Sequence, residues 1–302
     1  MPPFSRRKFL QVSGGLAGGA LLNCLPITRA TAASNPNVKV CAHLWVYASA
    51  FPPNWDCTPD LPRVFSDLKY AGYEGVELME VLLRHDDAVA RLIALTDQYK
   101  IPISGTSYGA PMWNKEKRQE ILEDAELVTT RLQLVGGKTF GISVGDAGHQ
   151  KSEAELDVQA EVLKGIMAIC SQKGIVPNLH NHTYEVKDSL HDLKGTLARV
   201  PDIKLGPDIN WLIRGGVDPV AFIRDYGKQM VYMHIRDQKA DGKWTEAVGE
   251  GVTDFPAIAQ ALQTASFNDW VAVELAFNAP PKRPVKESWK MSREYVQKVF
   301  GW

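Results

Sequence analysis

An alternation of short apolar runs and longer amphipathic stretches, repeated eight times from residue 38 onward, restricts the fold of this sequence most. Each repeat has a β-branched or apolar run, then a polar turn, then a stretch with helical periodicity, which is typical of strand–helix units. The predicted strands are 38–44, 75–80, 101–107, 138–145, 175–181, 203–209, 229–236 and 270–276. The predicted helices lie near 59–71, 85–99, 115–134, 152–173, 187–199, 218–226, 255–265 and 286–299.

Eight such units in about 265 residues, without a linker-like gap, match the size of one α/β barrel of the (β/α)8 TIM type. A doubly wound open sheet is the alternative, but it usually carries a glycine-rich phosphate turn after its first strand. Here that position reads HLWVYASAFPPNW. We therefore predict a single (β/α)8 barrel over residues 34–302, with its chemistry at the C-terminal ends of the strands.

The first 33 residues do not follow the barrel pattern. They contain the basic stretch SRRKFLQ, the Gly/Ala-rich run VSGGLAGGALLNCLPI and the small-residue stretch TRATAAS, which together indicate an export signal. The adjacent arginines resemble the twin-arginine type, which carries folded proteins across the bacterial inner membrane. The apolar run is short and glycine-rich for a membrane span of about 20 residues. We predict that residues 1–33 are removed and that the mature protein is periplasmic, without a membrane span; lipidation of Cys24 is left open.

The charge balance excludes some classes of partner. The formal net charge is −1. Removing the four basic residues of the predicted signal, which has no acidic residue, leaves the mature chain near −5. Neither value gives the positive field that a nucleic acid or an anionic membrane would require. Cys41, Cys57 and Cys170 are far apart in the sequence and do not indicate a disulfide framework.

Side chains of metal-binding type lie at four consecutive predicted strand ends: His180 and His182 on the fifth, Asp208 on the sixth, His234 on the seventh and Glu274 on the eighth. A single histidine at a strand end is more often a structural residue. Four consecutive barrel strands, however, bring their ends within reach of one ion, and a buried carboxylate is unfavourable unless it is paired or bound to a cation. We predict one divalent metal ion, of a kind that histidine and carboxylate ligands suit, such as Mn, Zn, Co, Fe or Mg.

Other aromatic and polar side chains at the same end of the barrel are candidates for binding a substrate. The predicted substrate contacts are His43, Trp45, Glu77, Trp113, Trp211, Arg236 and Trp244. Aromatic rings pack against the C–H side of sugars, although some of these tryptophans are expected only to pack loops. Because no basic cluster or glycine-rich turn indicates a phosphate site, we expect a non-phosphorylated small-molecule sugar.

The motifs HNHTYEV, DINWLIRGGVDP, MHIRDQ, GEGVTDFPAI and DWVAVELAF occur in the order and approximate spacing seen in the xylose-isomerase-like barrels. The mature chain resembles that superfamily throughout; it includes sugar phosphate isomerases/epimerases, ketose 3-epimerases and inosose dehydratases. The resemblance implies one divalent metal held by strands five to eight, here by Asp208, His234 and Glu274. At the fifth strand, where ketose epimerases have a glutamate, this chain has HNH. Side chains alternate along a strand, so His180 and His182 face inward; we predict His180 as the ligand, with His182 as the alternative.

The same resemblance implies proton abstraction next to a metal-bound carbonyl. Glu274 or His182 would take the proton, and Glu185 would orient a histidine. The histidine at the fifth strand removes the pair of metal-bound glutamates that epimerases use. The predicted function is a metal-dependent sugar isomerase or epimerase. A lyase or hydratase that performs β-elimination on 3-keto glycosides, and a non-catalytic metal- or sugar-binding barrel, are the alternatives. A homodimer is compatible with the sequence.

Overall fold

The computed structural model describes residues 37–302. The predicted export signal at residues 1–33, with Cys24 in it, lies outside the described residues. Within the described part, eight parallel strands form a nearly closed barrel surrounded by helices, which confirms the predicted single (β/α)8 barrel. No helix of residues 37–302 has the length and apolar character needed to cross a membrane.

All eight predicted strands are present. They are β1 (Lys39–His43), β2 (Gly75–Met79), β3 (Ile103–Gly109), β4 (Thr139–Ser143), β5 (Val176–Leu179), β6 (Lys204–Leu205), β7 (Tyr232–Ile235) and β8 (Trp270–Glu274). The helices are α1 (Trp45–Ala48), α2 (Leu61–Ala71), α3 (Ala88–Tyr99), α4 (Arg118–Leu134), α5 (Glu153–Gln172), α6 (Thr183–Arg199), α7 (Ile209–Arg214), α8 (Pro219–Tyr226), α9 (Phe255–Thr264) and α10 (Val285–Phe300).

The strands run in the order β6-β5-β4-β3-β2-β1-β8-β7, and β6 and β7 complete the circle. There the backbone N–H of Val231 donates to the carbonyl oxygen of Leu205 over 2.9 Å. The register pairs His43 of β1 with Glu77 of β2 on one side and with Glu274 of β8 on the other. Three polar side chains therefore stand at one level, at the C-terminal ends of neighbouring strands.

The apolar core fills the space between the barrel and the helices. In α2, Leu61, Phe65 and Leu68 follow one another at intervals of four and three residues, so they share one helical face, and all three are fully buried. Burying side chains of this size contributes about 1.5–3 kcal/mol each. On α10, Trp289 is fully buried and its Nε1–H donates to the hydroxyl of Tyr47 over 3.2 Å.

The structure departs from the predicted helices in two ways. Helices α1 and α7 were not predicted, because four and six residues are too few to show helical periodicity. Helix α6 was predicted from residue 187 but begins at Thr183. It contains three consecutive residues of positive φ, Asp188, Ser189 and Leu190 at 53°, 59° and 66°, a conformation that side chains other than glycine adopt only at a cost in strain.

The three cysteines of the described residues are free thiols. Cys41, Cys57 and Cys170 are each fully buried. Burial raises the pKa of each of these thiols to about 12, so they are protonated and unreactive near neutral pH.

Candidate metal centre

Three of the four predicted metal ligands lie together at the C-terminal end of the barrel. His180 follows β5, Asp208 precedes α7 and His234 lies in β7. One ligand atom from each lies within 4.8 Å of the others, and all three residues are buried. Glu274 ends β8 beside this group, and its Oε2 lies 3.0 Å from Nδ1 of His234. Imidazole and carboxylate in such a group are ligands that suit divalent cations.

The surroundings and the protonation of His180 fit the role of a metal ligand. Its Nδ1 is buried and has no hydrogen-bond partner among residues 37–302, although buried polar atoms nearly always have one. Burial, together with the neighbouring His234 and His182, holds the pKa of His180 well below its ordinary value. The ring is therefore neutral, which is the form that binds a metal ion. The donor set of these residues fits a divalent ion.

Asp208 is held in place by its own backbone neighbours. Its Oδ1 accepts hydrogen bonds from the N–H groups of Asn210 and Trp211, at 2.9 and 3.0 Å, and so caps the N-terminus of α7. The side chain of Asn181 bonds both to the N–H of Asp208, at 3.1 Å, and to its carbonyl oxygen, at 3.3 Å. The end of β5 is thus tied to the end of β6, and Oδ2 of Asp208 is the oxygen turned away from the cap.

His234 lies between two buried carboxylates. Its Nε2 is 2.7 Å from Oε2 of Glu77, and its Nδ1 is 3.0 Å from Oε2 of Glu274. Burial lowers the pKa of His234, but attraction by Glu77 and Glu274 outweighs it and raises the pKa to about 10. Glu77, which was predicted to contact a substrate, is thus tied to His234 in this structure.

Arg236 joins the two acidic members of the predicted ligand set. Its Nη2 donates to Oδ2 of Asp208 over 2.8 Å and also contacts Oε1 of Glu274, and its Nε donates to Oδ2 of Asp208 over 3.1 Å. Although burial raises the pKa of Glu274, Arg236, His43 and His234 together hold it well below its ordinary value. Arg236 is itself only 4% exposed. A buried guanidinium therefore pairs with both carboxylates, and His234 adds a second positive charge beside Glu274.

His182 is oriented through a hydroxyl. Its Nδ1 lies 2.8 Å from Oγ of Ser143, and Ser143 donates to Oε1 of Glu185 over 3.1 Å. Oε2 of Glu185 accepts from the backbone N–H of His182 over 2.6 Å. When Ser143 donates to Glu185, it accepts from Nδ1–H of His182, and Nε2 then carries the lone pair. The predicted orienting carboxylate Glu185 thus acts on His182 rather than on His180.

The environments of His182 and Glu185 shift both pKa values. Partial burial lowers the pKa of His182 to about 4, although its side chain remains 38% exposed. Burial raises the pKa of Glu185 to about 8, despite hydrogen bonds from His182 and Ser143. The imidazole of His182 is therefore neutral at neutral pH.

His43 ends β1 and lies next to Glu274. Its Nε2 lies 3.1 Å from Oγ of Ser107, and its Nδ1 accepts from the backbone N–H of Trp45 over 3.3 Å. Nδ1 also lies 3.4 Å from Oε2 of Glu274. Burial lowers the pKa of His43, against the opposing effect of Glu274 and Glu77. A neutral His43 that accepts at Nδ1 donates its Nε2–H to Ser107 and has no proton to offer Glu274.

The predicted tryptophans lie in different surroundings. Trp211 has its ring 5.6 Å from that of His182 and 5.3 Å from that of Trp244, measured between ring centroids. These two tryptophans therefore flank the group. Trp45 pairs with Trp55 at 5.4 Å, and Trp113 packs against His149 at 6.2 Å. Trp45 lies in the short helix α1, and Trp211 lies in the short helix α7.

The sequence analysis did not identify three polar residues that contact the histidines at this end of the barrel. Ser107 lies in β3, Ser143 ends β4 and Tyr184 lies in the first turn of α6. The hydroxyl of Tyr184 lies 3.2 Å from Nδ1 of His182. The position of the two serines at strand ends was a usable signal, since chemistry in a barrel of this type collects there. Tyr184 could not be identified in this way, because it lies in the first turn of α6 and not at a strand end. Its contact with His182 depends on how that turn folds.

A family model for the xylose isomerase-like TIM barrel matches residues 65–295 of the chain. An inosose dehydratase of Geobacillus kaustophilus is 22% identical over 272 residues, which cover 78% of this chain and 86% of that protein.

Solved structures show the same fold. A sugar phosphate isomerase/epimerase of Parabacteroides distasonis superposes with a TM-score of 0.71 at 19% identity, covering 91% of this chain and 99% of the other. The 3-keto-D-glucoside 4-epimerase of E. coli superposes with a TM-score of 0.68 at 16% identity, covering 86% and 99%. At these identities the likeness establishes the fold alone.

Proposed function

The chain belongs to the xylose isomerase-like TIM barrel family, and from this we propose that it is a metal-dependent isomerase or epimerase of a non-phosphorylated sugar. One observation carries the proposal: the unpartnered, buried Nδ1 of His180 belongs to a His–Asp–His group whose ligand atoms lie within 4.8 Å. His180, Asp208 and His234 would hold the ion, with Glu274 at their side. His234 would release a proton and give up one of its two carboxylate contacts to do so. An ion bound there supplies Lewis-acid polarisation of a sugar carbonyl.

His182 is the residue best suited to take a proton from the carbon next to that carbonyl. Its Nε2 carries the lone pair when Nδ1–H donates to Ser143, and the side chain is 38% exposed at the group. Glu274, the alternative base, is engaged at both oxygens, by Arg236 and by His234. The Ser143–Glu185 pair holds the imidazole in one orientation, which general-base catalysis requires.

Trp211 and Trp244 support a sugar as substrate. Both rings are partly exposed next to His182 and Arg236, and aromatic surfaces of this kind bury the apolar face of a ligand. Among residues 37–302, Arg236 is already paired with Asp208 and Glu274, so it offers no free cation for a phosphate. These features favour a non-phosphorylated sugar.

A dehydratase is the second candidate, since two inosose dehydratases are 22% and 20% identical to the chain. Deprotonation next to a carbonyl is the first step of both reactions. They differ in whether the carbon is reprotonated or a β-leaving group departs, to give a lyase. A barrel that binds a sugar or a metal ion without turnover is the third candidate.

Incubating the purified, metal-loaded protein with a panel of keto-sugars, keto-inositols and 3-keto glycosides in D2O tests these candidates. We expect metal-dependent deuterium incorporation next to the carbonyl, detected by NMR. Incorporation without loss of water or an aglycone contradicts the dehydratase, whereas release of either contradicts the isomerase. Tight sugar binding with no exchange in any member of the panel would favour the third candidate.

His182→Gln provides the matching residue test. We expect exchange to fall by about 10²–10⁴-fold, the usual contribution of a general base, with unchanged circular dichroism. His149→Gln is the control, because His149 pairs with Glu155 in an exposed position away from the group. Equal exchange rates in the wild type and His182→Gln would remove the proposed base.

We also propose that the protein is exported in folded form by the twin-arginine pathway and acts in the periplasm. The SRRKFL motif and the small-residue stretch after it support this. Replacing both Arg6 and Arg7 by lysine should leave the full chain in the cytoplasmic fraction of a bacterial host. Unchanged periplasmic recovery of the double variant would contradict the proposal.

A further inference from the structure

Arg236 occupies a position in which it competes with a metal ion for the acidic ligands. We propose that its guanidinium is an exchangeable internal counter-cation, which pairs with Asp208 and Glu274 when no ion is bound and releases Asp208 when a divalent cation binds. The proposal rests on the proposed function, because it concerns the same metal centre. It assigns to Arg236 the control of metal affinity, in place of the direct substrate contact expected from the sequence.

The hydrogen bonds of Asp208 make the competition direct. Oδ1 is already engaged by two backbone N–H groups that cap α7. Oδ2 is the remaining oxygen, and Arg236 donates to it twice, over 2.8 and 3.1 Å. A cation bound to Oδ2 therefore has to share or replace these two hydrogen bonds. Two cations at one carboxylate oxygen in a buried site repel each other strongly.

Glu274 depends on the same guanidinium, because Nη2 of Arg236 also contacts its Oε1. Asp208 is fully buried and Glu274 is 5% exposed. Buried carboxylates without a counter-charge are strongly unfavourable. His234 also faces Glu274, but in this structure Arg236 is the cation hydrogen-bonded to Oδ2 of Asp208. A bound ion that replaces the guanidinium there takes over its charge, and this favours exchange over loss of both cations.

The surroundings of Arg236 provide a place for the released guanidinium. Its Cζ lies 4.9 Å from the ring centroid of Trp244 and 5.4 Å from that of Trp211. A small movement away from Asp208 keeps the guanidinium against these ring faces, where cation–π attraction stabilises it. Arg214 already lies over the Trp244 ring, at 3.4 Å, so this aromatic pair accommodates guanidinium groups.

The test is the affinity of the protein for Co²⁺ and Zn²⁺, measured in competition with a chromogenic chelator after stripping. Arg236→Met keeps the length of the side chain and removes its charge, and we expect it to bind either ion about tenfold or more tightly than the wild type. Arg214→Met is the matched control: it removes a guanidinium from the same tryptophans without touching the carboxylates, and its affinity should stay within about twofold. Equal or weaker binding by Arg236→Met overturns the proposal.

A second measurement covers the case in which Arg236→Met does not fold. In wild-type protein labelled with ¹⁵N-arginine, the Nε–H signal of Arg236, assigned with Arg236→Lys, should shift and exchange faster with solvent when Zn²⁺ is added. An unchanged Arg236 signal at saturating Zn²⁺ overturns the exchange.

These measurements separate the inference from the proposed function. If the wild type binds no ion and Arg236→Met does, the exchange stands while the metal-dependent function of the natural protein fails. If neither binds an ion, both fail. If both bind equally, the metal centre survives and Arg236 is only a fixed support.

Discussion

The buried carboxyl of Glu185 makes the stability of this protein depend on pH in a way that one substitution can expose. Its pKa is raised from 4.5 to about 8 by burial. Between these values the unfolded chain has lost the proton that the folded chain still holds. A raised carboxyl pKa therefore contributes stability that is fully present below about pH 4.5 and is lost as the pH rises through 8. The slope is up to about 1.4 kcal/mol per pH unit, or on the order of 4 kcal/mol from pH 5 to 8.

Glu185→Gln removes this titration. At pH 5 the variant should be less stable than the wild type by about 1–3 kcal/mol, because an amide cannot accept all the hydrogen bonds that the carboxyl group accepts. As the pH rises, the wild type loses stability and the variant does not, so the difference should shrink and change sign toward pH 8. Urea unfolding followed by circular dichroism at pH 5, 6, 7, 8 and 9 measures this difference.

Glu155→Gln is the control for this experiment. Glu155 holds the corresponding position at the start of α5, where it accepts from the backbone N–H of Ser152 over 2.8 Å. It is partly exposed, and that hydrogen bond lowers its pKa. A lowered carboxyl pKa contributes stability that is lost only as the pH falls below about 4.5. Because Glu155 also contacts the imidazole of His149, the difference between the wild type and Glu155→Gln is compared above pH 7, and it should be constant from there to pH 9. If the difference for Glu185→Gln is constant as well, the reasoning about burial is refuted.

Three further predictions concern the metal centre and its rim. His180→Ala should weaken Zn²⁺ binding by more than the 10–100-fold typical of residues that only support a ligand; an unchanged affinity measured by calorimetry would move the ligand role to His182. Glu274→Gln should lower turnover by about 10–100-fold, the usual loss when a residue that supports the metal ligands is replaced, with unchanged circular dichroism. Full activity in that variant would contradict a role of Glu274 beside the ion. Trp211→Ala should raise KM by about fivefold, for a loss of about 1 kcal/mol of ring contact, and a change confined to kcat would argue against stacking on the substrate.

The eight strands could be predicted mainly because barrel strands are buried and tend to read as apolar runs, as β1 and β8 do. The four predicted ligands could be placed at one end of the barrel for a related reason, since parallel strands present their C-terminal ends on the same side. The short helices α1 and α7 could not be found. They are stabilised by caps and packing rather than by a repeated pattern, as the hydrogen bonds of Asp208 at the start of α7 show.

The sequence did not predict which charged residues pair with each other. Arg236 was predicted to contact a substrate, but its guanidinium joins Asp208 and Glu274. It lies 28 residues from Asp208 in the chain, and its contacts depend on how the ends of β6, β7 and β8 converge. Ser143 acquired its place between His182 and Glu185 in the same way, because β4 and β5 are neighbours in the barrel.

The sequence by itself determined the barrel, its eight units and the side of the sheet where polar side chains collect. These follow from local periodicity and strand direction, which neighbouring residues along the chain set. Only the tertiary structure decided which cation neutralises which carboxylate, and which histidines are neutral. Those outcomes depend on distances of 3–5 Å between residues remote in the chain and on the loss of water around them, because charges interact strongly only when they are close and buried.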